Sequence, residues 1–176
     1  VKLDKFGKPT YDKKKGDFTW EKNVVPEYRW HNGQADVYLL GDEIDPDKAV
    51  ELNKLSGSID DETAKITPFK LMRGKQIYDS RNNCLITPKL FGEGGYWQTF
   101  DWNHAAELGM AESGLAYSGE FGFVNTEMYW PINHMVAPAE KSLKCTDCHT
   151  KKESKRLNWE QLGYKDDPMR IGGRFK

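Results

Sequence analysis

Cys145-Thr146-Asp147-Cys148-His149 constrains this chain more than any other stretch: two thiols three positions apart, with a histidine directly after the second. At that spacing the two sulfurs can form thioethers with the vinyl groups on one porphyrin edge, while His149 reaches the iron from below. A chain built around this pentapeptide is expected to carry haem c covalently. Two other chemistries use neighbouring thiols. A closed zinc site takes four ligands, and the third cysteine, Cys84, lies far upstream with no second cysteine or histidine at ligand spacing beside it. A thioredoxin-like dithiol opens the helix of a βαβ unit at the end of an apolar strand, and no such strand precedes Cys145. Haem attachment is the favoured reading, with zinc as the alternative.

The remaining composition suits a chain that wraps a large flat cofactor. A chain of 176 residues is long enough to bury a core. Its mean hydropathy of -0.79, with 38% hydrophobic and 30% charged residues, nevertheless leaves few long apolar runs. Glycines (16), prolines (8) and aromatic residues (6 Trp, 8 Tyr, 8 Phe) are scattered throughout. Haem would supply apolar surface that the side chains do not. A net charge of -1 and a pI near 6.5 give no support to nucleic-acid binding. No apolar run approaches the length of a membrane span. Val1 is not followed by a basic and then an apolar leader, yet haem attachment to cysteines takes place outside the bacterial cytoplasm. A periplasmic or extracellular product is therefore expected, its export signal removed or carried by a longer parent polypeptide.

The expected fold class is mainly α, with extensive irregular loops and a small β-hairpin. Residues 1–60 read as an extended opening segment with one short helix. Gly7-Lys8-Pro9, Lys13-Lys14-Lys15-Gly16 and His31-Asn32-Gly33 mark turns, and Val37-Tyr38-Leu39-Leu40 a short strand. Asp45-Pro46 resembles an N-cap and first helical residue, with Ala49, Leu52 and Leu55 at helical spacing and Gly57 as the stop. Residues 61–123 read as a small α+β or irregular region. It holds a hairpin between Ala64 and Pro88 that turns at Asn82-Asn83, and a helix from Trp102 to Ser113 capped by Thr99 or Asp101. Residues 124–176 form the haem-attachment region, with short helical pieces, a last turn over 158–163 and an extended tail beyond Asp167-Pro168.

His149 supplies one axial position, and His134 is the expected source of another. It sits among Trp130, Pro131, Ile132 and Val136, where an unpaired imidazole needs a partner. Whether it serves the haem of His149 or a neighbouring haem is open at this level. Met135 and then Met128 are the alternatives, and methionine would raise the potential. His31 and His104 read as surface or capping histidines, and Cys84 as a small buried residue. Trp97, Trp102, Trp130 and Tyr129 either line a porphyrin or fill a core. Lys141, Lys144, Lys151, Lys152, Lys155 and Arg156 form a basic surround that could meet haem propionates or an acidic redox partner, or simply a solvated surface.

Longer stretches carry a resemblance. Residues 127–138, Glu-Met-Tyr-Trp-Pro-Ile-Asn-His-Met-Val-Ala-Pro, followed by Leu143-Lys144 and the pentapeptide, are similar to the C-terminal part of the octahaem tetrathionate reductase family of c-type cytochromes. Pro26-Glu27-Tyr28-Arg29-Trp30, Tyr38-Leu39-Leu40-Gly41-Asp42, Thr67-Pro68-Phe69-Lys70, Arg73-Gly74-Lys75-Gln76 and Tyr117-Ser118-Gly119-Glu120-Phe121-Gly122 follow the same family in the same order. The resemblance implies a multihaem cytochrome c architecture organised around haem. It also implies a periplasmic oxidoreductase that passes electrons along mostly bis-histidine haems to an active-site haem with a lysine ligand. Tetrathionate, nitrite and hydroxylamine are the associated substrates. It makes His149 the proximal ligand of a late haem and suits His134 to a distal one.

This chain has one haem motif rather than eight, so the catalytic haem is expected outside it and no catalytic residue is assigned. Its partners would be another multihaem chain or a missing N-terminal segment, together with a redox protein. The function expected is electron transfer within a multihaem reductase. The alternatives are a conducting or storage cytochrome without a substrate site, and a self-sufficient monohaem carrier.

Overall fold

The computed structural model describes residues 2–21, 23–133, 138–150 and 156–174. Strands β1 (Tyr11–Asp12) and β2 (Gly16–Asp17) come first, then β3 (Glu27–His31), β4 (Ala35–Val37), β5 (Val50–Glu51) and β6 (Asn53–Leu55). The long β7 (Lys65–Asp79) and short β8 (Cys84–Leu85) precede helices α1 (Tyr96–Thr99) and α2 (Trp102–Glu112). Strand β9 (Phe121–Pro131), a 3-10 turn at Ala139–Lys141, and the one-turn helices α3 (Cys145–Cys148) and α4 (Pro168–Ile171) complete the order.

Among the described residues 16% are helical and 29% lie in strands, which overturns the expectation of a mainly α fold. The cause lies in the segments that become β7 and β9. Both are rich in aromatic and β-branched residues, which suit a pleated, half-buried surface. In β9, Val124 and Thr126 are buried while Phe123 and Asn125 are exposed, the period of a strand rather than of the helical pieces expected there. The main sheet runs β3-β7-β9-β5, with β8 beside β7. β3 is antiparallel to the start of β7, with Glu27 opposite Phe69 and His31 opposite Lys65. β1–β2 and β4–β6 are separate antiparallel ribbons.

The chain divides into two compact units, residues 1–24, 39–50 and 74–126 in the first, and 25–38, 51–73 and 127–176 in the second. In the first, Ile77, Cys84, Ile86, Ala106 and Met110 form the core, with Trp102, Leu115, Tyr117 and Phe121 against it. Asp101 caps α2 as its sequence implies, accepting from the His104 backbone N–H at 3.1 Å. The expected hairpin is present: β8 folds back on the end of β7, and Asn83 takes φ 48° in the turn, a left-handed conformation that asparagine tolerates.

Asp79 holds that turn. Its side chain is completely buried and accepts from the backbone N–H groups of Arg81, Asn82 and Ser118 at 3.0, 2.9 and 2.7 Å. The Ser118 hydroxyl (2.7 Å) and the Asn82 side-chain amide (3.0 Å) also donate to it. Burial alone would raise its pKa, but the bonds from Ser118, Asn82 and Arg81 outweigh it and hold the carboxyl below its ordinary value. Asp79→Asn places an amide donor against these donors and is expected to cost about 3 kcal/mol in chemical denaturation. The carboxylate's contribution is complete above its unfolded pKa of about 3.9 and is lost as pH falls through the lower folded value, so acid unfolding should be less steep in the variant. Equal denaturation midpoints for the two proteins would remove this role.

In the second unit, Leu157, Leu162 and Tyr164 form a core joined by Tyr28, Trp30, Ile59, Ile66, Cys148 and Trp159. Tyr28 and Trp30 reach it from alternate positions of β3.

Three local expectations change. No helix follows Asp45-Pro46: Asp45 accepts from the Asp47 N–H at 3.1 Å and closes one turn, after which β5 and β6 form. There Leu52 N–H donates to the Glu127 carbonyl at 2.8 Å, and the Asn53 side chain bonds both backbone groups of Tyr129 at 2.7 Å. Pairing overrides local helical spacing. The strand expected over 37–40 instead ends at Val37, and the tail expected to be extended forms α4.

Candidate haem-attachment site

The segment Cys145-Thr146-Asp147-Cys148 folds as a single helical turn because Asp147 caps it. Its carboxylate accepts from Lys144 N–H at 2.7 Å, its own N–H donates to the Lys144 carbonyl at 2.9 Å, and His149 N–H closes on the Cys145 carbonyl at 2.8 Å. One turn brings residues three apart to the same side, so both sulfurs serve one face. Cys145 is exposed, Cys148 half-buried, and neither forms a disulfide. Burial raises the Cys148 pKa, with Arg156 pulling in the opposite direction. A redox dithiol needs a lowered thiol pKa instead. Among the described residues no group of three or more His, Cys, Asp or Glu side chains gathers to hold a metal ion, as a zinc site would require.

His149 leaves the turn and is fixed on two sides. Its Nδ1 lies 2.6 Å from the carboxylate of Asp167, and its ring stacks on Trp159 with centroids 5.1 Å apart and planes at 17°. Trp159 is itself tied to the motif, its indole N–H donating to the Cys148 carbonyl at 3.3 Å. Tyr164 meets Trp159 edge-on at 5.5 Å, and Trp30 lies 6.2 Å beyond. Trp30 donates to the Leu162 carbonyl at 2.8 Å and carries the Arg174 guanidinium 4.1 Å above its ring. Arg174 in turn donates to the carbonyls of Ser58, Ile59, Asp61 and Ala64, closing the C-terminal segment over the β3 region.

Asp167 is the N-cap of α4, accepts from Met169 N–H at 2.9 Å and is 5% exposed. Burial works against its ionisation, but the hydrogen bonds from His149 and the Met169 backbone prevail and keep it below the ordinary carboxylate range. With Nδ1 committed to Asp167, Nε2 is the imidazole nitrogen left for a metal. Two free thiols on one helical turn, followed by an imidazole whose second nitrogen is spoken for, fit the attachment and ligation of haem c.

A helical turn bearing two unpaired cysteines with a histidine directly after it is the pattern of c-type cytochromes. A family model described as "Cytochrome c bacterial" matches residues 1–152, so the chain belongs to the bacterial cytochrome c family and its cofactor is covalently bound haem c. The structure is similar to that of octaheme cytochrome c from Shewanella oneidensis, with a TM-score of 0.89 and 52% sequence identity over 96% of this chain. The chain spans 40% of the length of that protein and belongs to a multihaem lineage. No match was found among curated proteins. Among the described residues no helix is long and apolar enough to cross a membrane.

The other residues singled out in the sequence fall as follows. His134 and Met135 lie outside the described residues, as do Lys151, Lys152 and Lys155. Met128 is half-buried in β9, and Cys84 is buried in the first unit's core. His31 lies on β3 with its ring edge-on to Phe69 at 5.4 Å, and His104 is in the first turn of α2. Trp102 stacks on Tyr96 at 3.7 Å, Trp97 donates to the Lys14 carbonyl at 3.1 Å, Tyr129 packs edge-on to Phe69 at 6.0 Å, and Trp130 is half exposed. Lys141 and Lys144 are exposed, while Arg156 donates to the Tyr28 hydroxyl at 2.9 Å. The ring on His149 is Trp159, and its carboxylate is Asp167, neither of which the sequence singled out. For Asp167 a signal existed, since Asp167-Pro168 has the pattern of an N-cap and first helical residue.

Proposed function

We propose that Cys145 and Cys148 hold one haem c by thioethers, that His149 is its proximal iron ligand, and that His134 supplies an axial ligand to this or a neighbouring haem. The chain then acts as the electron-transfer part of an exported, periplasmic multihaem oxidoreductase of the octahaem tetrathionate reductase type. The observation that carries this reading is His149 with Nδ1 bound to Asp167, beside two unpaired thiols on one turn. The extent of the likeness to the octaheme protein supports a multihaem setting, in which electrons pass between closely spaced haems and the protein supplies spacing, insulation and axial ligands. Reduction of tetrathionate, nitrite or hydroxylamine belongs to the whole assembly, at a haem outside this chain.

Intact mass and a pyridine haemochrome assay on the purified protein should show one covalent haem for the motif in this chain. Size-exclusion chromatography with haem counting should then find several haems in a species larger than the 20.3 kDa of the chain. A monodisperse species of that size with a single haem would replace the assembly with a self-contained carrier. An intact assembly that reduces none of the three substrates, with every iron six-coordinate, would leave a conducting or storage cytochrome.

A further inference from the structure

The residue holding His149 is a carboxylate rather than the backbone carbonyl that would be sufficient to orient an imidazole. The contact is short at 2.6 Å, Asp167 is 5% exposed, and among the described residues its ion-pair partner is His149. Its other described side-chain bonds come from the neutral backbone N–H groups of Met169 and Thr150, which leave the carboxylate's net charge in place beside the ring. A buried anion accepting from Nδ1–H draws the proton away from the ring and makes Nε2 a stronger electron donor. A stronger donor stabilises ferric over ferrous iron, and haem potentials respond to axial ligand strength and to hydrogen bonding of this kind.

We infer that Asp167 is a positioning residue that sets the reduction potential of the haem on this chain, holding it low through the His149–Asp167 contact. This rests on the attachment reading above. Trp159 and Asp167 then have separable roles, the ring fixing the plane of the imidazole and the carboxylate fixing its donor strength.

The test is a spectroelectrochemical titration of the haem-loaded protein with haem counted in every variant. Asp167→Asn keeps an acceptor for Nδ1–H and removes the charge, so the oxidation equilibrium should shift at least tenfold towards reduced iron, about 59 mV for a one-electron couple. Asp167→Glu should restore most of the shift, whereas Trp159→Phe, which keeps an aromatic ring on His149, should stay within about twofold of the wild type. An unmoved potential in a fully loaded Asp167→Asn protein overturns the inference, as does an equal shift in Trp159→Phe, which would assign the effect to packing. If Asp167→Asn fails to load haem, electron paramagnetic resonance of the ferric wild type decides. An imidazolate-like narrowing of the g-value spread supports the role, and the spread of a neutral imidazole ends it. The Cys145→Ser/Cys148→Ser protein separates the two levels: an undiminished haem count there sinks the attachment reading itself, whereas loss of one haem together with an unmoved Asp167→Asn potential sinks only the inference.

Discussion

Gly109→Ala should lower the melting temperature of the haem-loaded protein by roughly 10 °C, corresponding to at least about 4 kcal/mol. In an ordinary helix the same change would stabilise by about 1 kcal/mol, because alanine is the better helix former. Here the sign reverses. Gly109 lies on the buried face of α2, and a β-carbon there would stand 1.9 Å from the Thr87 carbonyl oxygen, 2.6 Å from Lys89 N and 2.7 Å from the Pro88 carbonyl carbon. All three are backbone atoms, so no side-chain rotation relieves the contact. Residues 87–89 are themselves held to the helix by the Lys89 N–H bond to the Ala105 carbonyl at 2.9 Å. Either α2 or residues 87–89 must move, and the packing of Ala106 and Met110 moves with them. Differential scanning fluorimetry measures the effect directly. A variant that melts with the wild type would mean that the helix and this segment do not approach as closely as described.

Cys145→Ser with Cys148→Ser should remove the covalent haem from this motif entirely, so that any haem left at this site is released by acid-acetone extraction and the intact mass falls by one haem. The single variants should differ. Cys145 is exposed and contributes little packing, so Cys145→Ala should retain a haem held by one thioether and show a shifted haemochrome band. Cys148 also packs on the core of Leu157, Leu162 and Tyr164, so Cys148→Ala should lose its thioether and in addition about 1 kcal/mol of packing. His149→Ala should keep the thioethers but abolish the low-spin spectrum of that haem. Intact mass, haemochrome and visible spectra distinguish these outcomes, and a double serine variant with unchanged haem would place the attachment elsewhere.

Structure set by near neighbours is visible in this sequence, whereas structure set by distant partners is not. Helix α2 was legible from Asp101 at its start and Gly114 beyond its end, and the β7–β8 hairpin from Asn82-Asn83, because caps and turns are chemistry between near neighbours. The region after Asp45-Pro46 carried the same kind of cap yet became strand. Its partners, Glu127 and Tyr129, are over seventy residues away, and nothing local encodes them. β9 shows the same limit: Phe121 to Pro131 alternates in burial, but two prolines and a haem motif nearby suggested short helical pieces. Cys145, Cys148 and His149 could be singled out together because the pentapeptide is contiguous. Asp167 and Trp159 were not, since they reach the imidazole only after the chain has turned through Asn158 to Gly163.

Under the proposed attachment, the separation of 18 positions between His149 and Asp167 gives maturation a built-in order. On an emerging polypeptide, both thiols can be presented for haem ligation before the imidazole meets its carboxylate. Its bolt slides home only when the last turn emerges. A nascent chain halted before residue 167 would therefore bear its porphyrin but leave the iron loosely held, a checkpoint visible as a change of spin state rather than as a loss of colour.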